Sequence, residues 1–177
     1  MNRFKIYQLY FLFCIIGFTS FSFQPAQVDN ATIKSAYIYH LSTYVKWENL
    51  PLQNEFLIGV IGNAPDARIS IPANKKIADR AVRVIKAASV EQADRLGCRV
   101  VYLAADQQYR LADVSGFVAN RKILTISASE GFINDGVMIN LFQEEGKVYF
   151  EINQKAIKSA NIKLSAQIYS LAKRILK

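Results

Sequence analysis

The order of its apolar runs constrains this chain more than any other feature. Phe56–Ile61 is nearly continuous in apolar residues and stops at Gly62. Its length and its Val and Ile content mark a buried strand. Ala81–Lys86 alternates, with Val82 and Val84 on one face and Arg83 and Ile85 on the other, and reads as a second strand. Val100–Leu103 and Ile123–Ile126 read as a third and a fourth. Helix signals fall between them. Pro65 suits a first helical turn and starts a short helix over 66–71, which Pro72 stops. Residues 75–80 read as loop. Ser89-Val90-Glu91-Gln92 matches a capping box, in which the Ser hydroxyl and the Gln side chain satisfy free amides. That helix is short and ends at Gly97. Asp106 can cap a helix carrying Tyr109, Leu111, Ala112 and Val114.

The flanks of this alternating portion are different. Asp29 or Asn30 can cap a helix that begins near Ala31. Ile33, Ala36, Tyr37, Leu41, Tyr44, Val45 and Trp47 recur along it at helical spacing, and Tyr39 and His40 widen the apolar face. Toward the C-terminus, Val137–Phe142 and Val148–Ile152 are strands separated by Gln143-Glu144-Glu145-Gly146-Lys147, a polar connection whose glycine marks a hairpin. Asn153 can cap a helix from Gln154 to Ala160. A last helix, Ser165–Leu176, puts Ile168, Leu171, Ala172 and Ile175 on one face. Alternation argues a parallel portion of sheet covered by helices, and the hairpin adds an antiparallel pair at one side. The expected fold is therefore α/β. It is a three-layer sandwich, a mixed sheet flanked by helices with a C-terminal hairpin and helices. A single domain spans residues 25–177.

Residues 1–24 stand apart. Arg3 and Lys5 precede an apolar run from Ile6 to Phe23, and small polar residues begin at Gln24-Pro25-Ala26. This is the layout of a secretory signal peptide cleaved between Phe23 and Ala26. The run is also long enough for an uncleaved anchor, but a soluble-looking domain follows at once. Bulky Phe11-Leu12-Phe13 argue against Cys14 as a lipid-modified residue. Without Arg3 and Lys5 the net charge falls from +8 to +6. The basic residues are scattered, and an exported chain is not expected to meet nucleic acid. Beyond the leader only Cys98 remains, so no internal disulfide can form even where the compartment permits one. A buried structural thiol is the plain reading, and a reactive or intermolecular cysteine is the alternative.

The chemistry of common enzymes is thinly represented. His40 is the single histidine. With one His and one Cys beyond the leader, a Cys/His zinc site lacks ligands, and no metal or cofactor is expected. A Ser-His-Asp triad would need His40, which sits among Tyr39, Leu41 and Tyr44. Gly59–Asn63 has neither the glycine spacing of a dinucleotide fingerprint nor the Gly-Lys-Ser/Thr of a P-loop. Glu130, Asp135, Glu144, Glu145 and Glu151 show no pairing of the kind acid–base catalysis needs. No catalytic residue is assigned and no enzyme is expected. Glu151 lies inside a strand and points away from its more apolar face. It either pairs with Lys147 or a cation on a neighbouring strand, or contacts a partner.

Taken in order, these segments resemble the YfiR family of periplasmic proteins. Lys34-Ser35-Ala36-Tyr37-Ile38-Tyr39 through Trp47 is similar to the family's opening helix. Phe56–Gly62 is similar to its first strand, and Cys98–Leu103 to its Cys-led strand. Leu124–Ser127, Gly131-Phe132, Gly136–Leu141 and Val148–Asn153 follow its closing pattern, and Ser165–Leu176 its last helix. The resemblance covers about residues 32–176. It departs at His40, where the family has Asn, and at Asp135-Gly136, where it has Gly-Gly. Family members can carry a disulfide at the cysteine matching Cys98, and that bridge is not expected here.

The resemblance implies regulation rather than catalysis. YfiR-like proteins repress a membrane-bound diguanylate cyclase by binding its periplasmic sensor domain, and so lower cyclic di-GMP. Many relatives have no such known partner, and for these the resemblance leaves open a sensor kinase or another envelope receptor. The implied partner is the periplasmic domain of such an enzyme, with a homodimer as a further partner. An envelope module that binds a small ligand at the strand ends near Gly62 or Gly131 is the alternative. Tyr39, Trp47, Phe132 and Glu151 are the expected partner-binding residues. The aromatic residues of the first helix suit an interface or simply cover the sheet. Phe132, in a loop flanked by glycines, either inserts into a partner or folds back onto the core.

Overall fold

The computed structural model describes residues 30–177, apart from the side chains of residues 108 and 109. The expected signal peptide and the Asp29 cap lie outside the described residues. Strands β1 (Glu55–Ile61), β2 (Lys76–Ile77), β3 (Arg80–Ala87), β4 (Val100–Leu103), β5 (Leu124–Ser127), β6 (Ile139–Glu144), β7 (Lys147–Asn153) and β8 (Arg174–Leu176) form one sheet in the order β2-β3-β1-β4-β5-β6-β7-β8. Helices α1 (Asn30–Thr43), α2 (Val90–Arg95), α3 (Leu111–Val118), α4 (Gln154–Ser159) and α5 (Ala166–Leu171) accompany it. The chain is α/β, as expected.

Strands β3-β1-β4-β5-β6 are all parallel. This is a doubly wound order whose direction of travel reverses between β1 and β4. β4 and β5 are buried at every residue, which is why they read as continuous apolar runs. The expected antiparallel pair is the β6–β7 hairpin, closed by Glu145 and Gly146 at φ 50° and 75°. Positive φ at both central residues matches the right-handed twist of the strands. A second two-residue turn, Ala78-Asp79 at φ 49° and 62°, pairs β2 with β3 where a loop is expected from sequence.

Helices pack on both faces. On one side, α1 buries Ile38, Leu41 and Ser42, and the Tyr37 hydroxyl donates to the Val148 carbonyl at 2.7 Å. Of the expected apolar face, Leu41 is buried and Tyr37, Tyr39 and Tyr44 pack against the core; Ser35, Ile38 and Ser42 join the buried stripe, and Ala36 faces solvent. The helix also stops at Thr43, because Val45 leaves it to form an extended bridge with Leu164. On the other side, α2 lies so close to β1 that a Cβ on Gly59 would sit 3.3 Å from Ala93 Cβ and Cys98 Sγ. Ser89 caps α2 by accepting from Gln92 N–H at 3.2 Å, while the Gln92 amide oxygen accepts from Ala88 N–H at 2.6 Å. Gly97, at φ +84°, ends it. Its N–H donates to the Asp94 carbonyl and that of Cys98 to the Ala93 carbonyl, the paired bonds of a Schellman motif. Asn153 caps α4 as expected, accepting from Ala156 N–H at 2.9 Å.

Three expected helices are corrected. The helix over 66–71 reduces to a 3₁₀ turn, Pro65–Ala67. The Asp66 carboxylate is engaged elsewhere, accepting from the Tyr102 hydroxyl at 2.8 Å and Ala105 N–H at 3.3 Å. Asp106 caps nothing that follows it. Residues Ala105–Arg110 form a 3₁₀ segment before α3 begins at Leu111, and the Asp106 carboxylate turns back to Asn63 N–H at 2.9 Å. The last helix ends at Leu171, which is 54% exposed. Beyond it the chain extends as β8, parallel to β7, with Lys173 N–H on the Phe150 carbonyl at 2.9 Å. The free edge of β7 offers backbone hydrogen bonds that an exposed helical turn does not.

Candidate functional site

Register builds a polar row across one face at the β8 end of the sheet. Ser127 pairs with Asn140, Asn140 with Glu151, and Glu151 with Arg174. Residues paired in register share a face, so the four side chains stand side by side. Asn140, Glu151 and Arg174 of this row border an open groove of ≈1040 Å³, walled by the loop around Gly131, by β6 and by β8.

Glu151 is 5% exposed. Burying a carboxylate costs several kcal/mol unless it is paired and hydrogen-bonded. Its Oε1 accepts from Asn140 Nδ2 at 3.2 Å, and its Oε2 lies 2.9 Å from Arg174 Nη2. The Arg174 guanidinium also covers the Phe142 ring at 4.8 Å, although its side chain stays 61% exposed. Beside it, Lys173 Nζ sits 4.5 Å over the Tyr149 ring and 2.8 Å from Glu144 Oε2. The hydrogen bond to Glu144 keeps the Lys173 ammonium protonated to higher pH than an ordinary lysine.

The row is not fully satisfied. Asn140, 2% exposed, has its Oδ1 buried without a hydrogen-bond partner, and Ser129 Oγ is in the same position. Among the described residues these are the only buried side-chain polar atoms left so. Both belong to this end of the sheet, since Asn140 lines the groove and Ser129 lies between its lining residues Ala128 and Glu130. Native structures rarely leave such atoms unpaired without a reason.

At the other strand-end position the polar groups are satisfied by the chain's own side chains. At the β1–β4 switch point, where open α/β sheets bind ligands, the Asp106 carboxylate already accepts backbone N–H groups. These bonds, chiefly the one from Asn63, hold its carboxyl below the usual 3.8. Gly62 there has φ +110°, and a Cβ would run into that carboxylate and stand 2.7 Å from Ala104 Cβ.

The four residues singled out from sequence separate. Glu151 lies at the groove. Phe132 does not reach a surface: it is 2% exposed and folds back onto the core, the second of the two readings its loop allows. Turn hydrogen bonds from Asp135 and Val137 N–H to the Phe132 carbonyl curl the loop, and Asn153 Nδ2 ties it down at the Ile133 carbonyl, 2.9 Å away. Asp135 needs no positive φ, which falls to Gly136 at +101°. Trp47 is half-buried. Its indole N–H donates to the Ser42 carbonyl at 2.9 Å and its ring meets Phe56 edge-on at 5.1 Å, so it finishes α1 and covers β1. Tyr39 is half-buried on α1, edge-on to exposed His40, with its hydroxyl 3.3 Å from the Lys76 carbonyl. It borders a separate groove of ≈660 Å³ with Arg68 and Lys75.

Asn140 and Arg174 were not singled out. The hairpin could have revealed Asn140, because a two-residue turn at Glu145-Gly146 places it opposite Glu151. Arg174 was hidden by the helical reading of its segment. Cys98 is buried and free, and burial pushes its thiol up to about 11. Among the described residues, no three His, Cys, Asp or Glu side chains gather to hold a metal ion, and no helix is long and apolar enough to cross a membrane.

No curated protein matches the chain at a significant level. Several solved chains share the fold, two of which illustrate it. One is a conserved domain protein from Vibrio cholerae O1 biovar El Tor, at 14% identity and TM-score 0.51, matched over 80% of this chain and 59% of that one. The other is an ABC domain from Streptococcus pneumoniae in complex with L-Trp, at 10% identity and TM-score 0.54, over 80% and 62%. The chain thus spans about six-tenths of each solved chain's length. The sequence profile described as YfiR/HmsC-like matches residues 31–173, nearly all of what the structure describes. The chain belongs to the YfiR/HmsC-like family.

Proposed function

We propose that this protein is a periplasmic regulatory binding protein. In this reading it represses a membrane-bound signalling enzyme, a diguanylate cyclase, by holding that enzyme's periplasmic domain. It is exported by residues 1–24, acts as one domain over 25–177, and catalyses nothing itself. Family membership over residues 31–173 supports the regulatory class. The observation that carries the choice of surface is the groove at the β8 end, where Asn140 Oδ1 is buried without a partner beside Glu151. A surface built to meet another molecule leaves such groups for it to satisfy.

Mild crosslinking in envelope extracts, followed by capture of the tagged protein, tests this reading. Recovery of a membrane cyclase or sensor kinase by the wild type, and its loss with Glu151→Gln, is the expected result. Recovery of this chain alone would replace it with a dimeric envelope module for a small ligand, for which the same groove is roomy enough. A saturating ligand at 100 times its Kd would then stabilise the fold by about 2.7 kcal/mol.

A further inference from the structure

The polar row has acceptors in excess of donors. Ionised Glu151 offers two oxygens and about four lone-pair sites. Asn140 Nδ2 and Arg174 Nη2 supply its donors. Asn140 Oδ1 finds no partner at all, and neither does the nearby Ser129 Oγ, a hydroxyl that can accept or donate. A fitting ligand therefore brings several N–H donors and a positive charge.

The counter-ion in place is loosely held. Arg174 sits on a three-residue edge strand and keeps 61% of its side chain in solvent, while Glu151 is buried. An exposed arginine pays little to leave, and an incoming one meets the same carboxylate. The aromatic ring that lines the groove, Phe142, already carries a guanidinium on its face at 4.8 Å, while the Lys173 ammonium sits apart from the groove over Tyr149. A planar fork both stacks on aromatic faces and donates in parallel to a carboxylate.

We propose that the Asn140–Glu151 end of the groove recognises an alkylguanidinium group, borne by an arginine of the bound protein, and that Arg174 occupies the place in the free molecule. The inference rests on the groove being the binding surface and adds what the partner must present to it. Binding is then an exchange of one arginine for another. The partner's arginine differs from Arg174 in supplying the donor that Asn140 Oδ1 lacks.

The test uses purified protein and N-acetyl-L-arginine amide as the probe, with amide NMR shifts as the readout. N-acetyl-L-norleucine amide at matched ionic strength is the control. The variants are Arg174→Ala and Glu151→Gln. If Arg174 fills the place in about nine molecules of ten, its removal tightens apparent probe affinity by about tenfold. Shifts are expected at Asn140, Glu151 and Ser129, and Glu151→Gln is expected to abolish them. Equal probe affinity in the wild type and Arg174→Ala would overturn the proposal. So would equal shifts with the norleucine control. Should Glu151→Gln fail to fold, Arg174→Ala decides alone, since it alters an exposed side chain. Agmatine, a free alkylguanidinium, separates the sources. Tighter binding of agmatine than of the capped arginine would overturn a protein-borne ligand. Because no partner is present, probe binding can succeed where capture of a cyclase fails, and the two results are read separately.

Discussion

At the β1–β4 switch point the chain's own side chains satisfy the polar groups. Asp106 fills the turn after β1, and Asp66 takes the Tyr102 hydroxyl and Ala105 N–H. Burial, reinforced by the Asp66 carboxylate, keeps the Tyr102 hydroxyl protonated far into base. At the β6–β8 end, Asn140 and Ser129 are buried with polar atoms unmatched, and the buried carboxylate is countered by a largely exposed arginine. The doubly wound half has the topology that places a ligand site at its switch point, and there its own side chains close the hydrogen bonds. The β6–β8 half leaves buried polar atoms unmatched. Fold order points to one end, and the accounting of hydrogen bonds points to the other.

This contrast can be broken from either side. Ile58→Ala in the closed half leaves a cavity in the middle of β1, where the side chain is fully buried. A loss of about 2–5 kcal/mol in denaturant unfolding is expected. Gly62→Ala combines a positive φ with a clash against Asp106 and Ala104. It is expected to cost about 2–4 kcal/mol by the same assay, from backbone strain and overpacking together. Glu151→Gln keeps the side-chain volume and one acceptor for Asn140. Its stability change is expected to stay within about 1 kcal/mol, given how exposed Arg174 is, while partner capture is lost. A large stability loss from Glu151→Gln with capture unchanged would make the row a structural element like its counterpart.

Two smaller effects sharpen the comparison. Cys98, beneath α2 and with its thiol raised by burial, is expected to resist thiol-specific reagents until the protein unfolds. Rapid labelling in native buffer would show that the closed half opens locally. Asp106 has a depressed folded pKa because Asn63 N–H donates to it. A carboxylate of this kind contributes stability above its unfolded value, and the contribution disappears as pH falls through the folded value. Asp106→Asn is therefore expected to flatten part of the acid loss of stability below pH 3.8 and to leave binding alone. Melting temperatures across an acid series measure it.

The sequence revealed the two halves unequally for physical reasons. β4 and β5 are buried on both faces, so composition alone marked them. The hairpin announced itself through Gly146, and with it the pairing of Asn140 with Glu151. The C-terminal segment misled, because Ile168, Leu171, Ala172 and Ile175 keep helical spacing. Only Ile168 is fully buried, and the demand of the β7 edge for backbone partners decides the rest. That pairing is non-local, and no periodicity reports it. Phe132 was undecided from sequence. Its flanking glycines allow an exposed tip or a return, and the turn they make returns the ring to the core. Glu151 was legible as a carboxylate inside a strand, whereas its counter-ion required knowing where β8 lies.

The most direct measurement is site-specific photocrosslinking in the native envelope. A benzoylphenylalanine is placed at exposed Gln143 on the groove rim, or at exposed Arg83 on β3 in the closed half. The account predicts that Gln143→benzoylphenylalanine captures the periplasmic domain of a membrane signalling enzyme and Arg83→benzoylphenylalanine does not. Capture of that enzyme from Arg83, with none from Gln143, would contradict it.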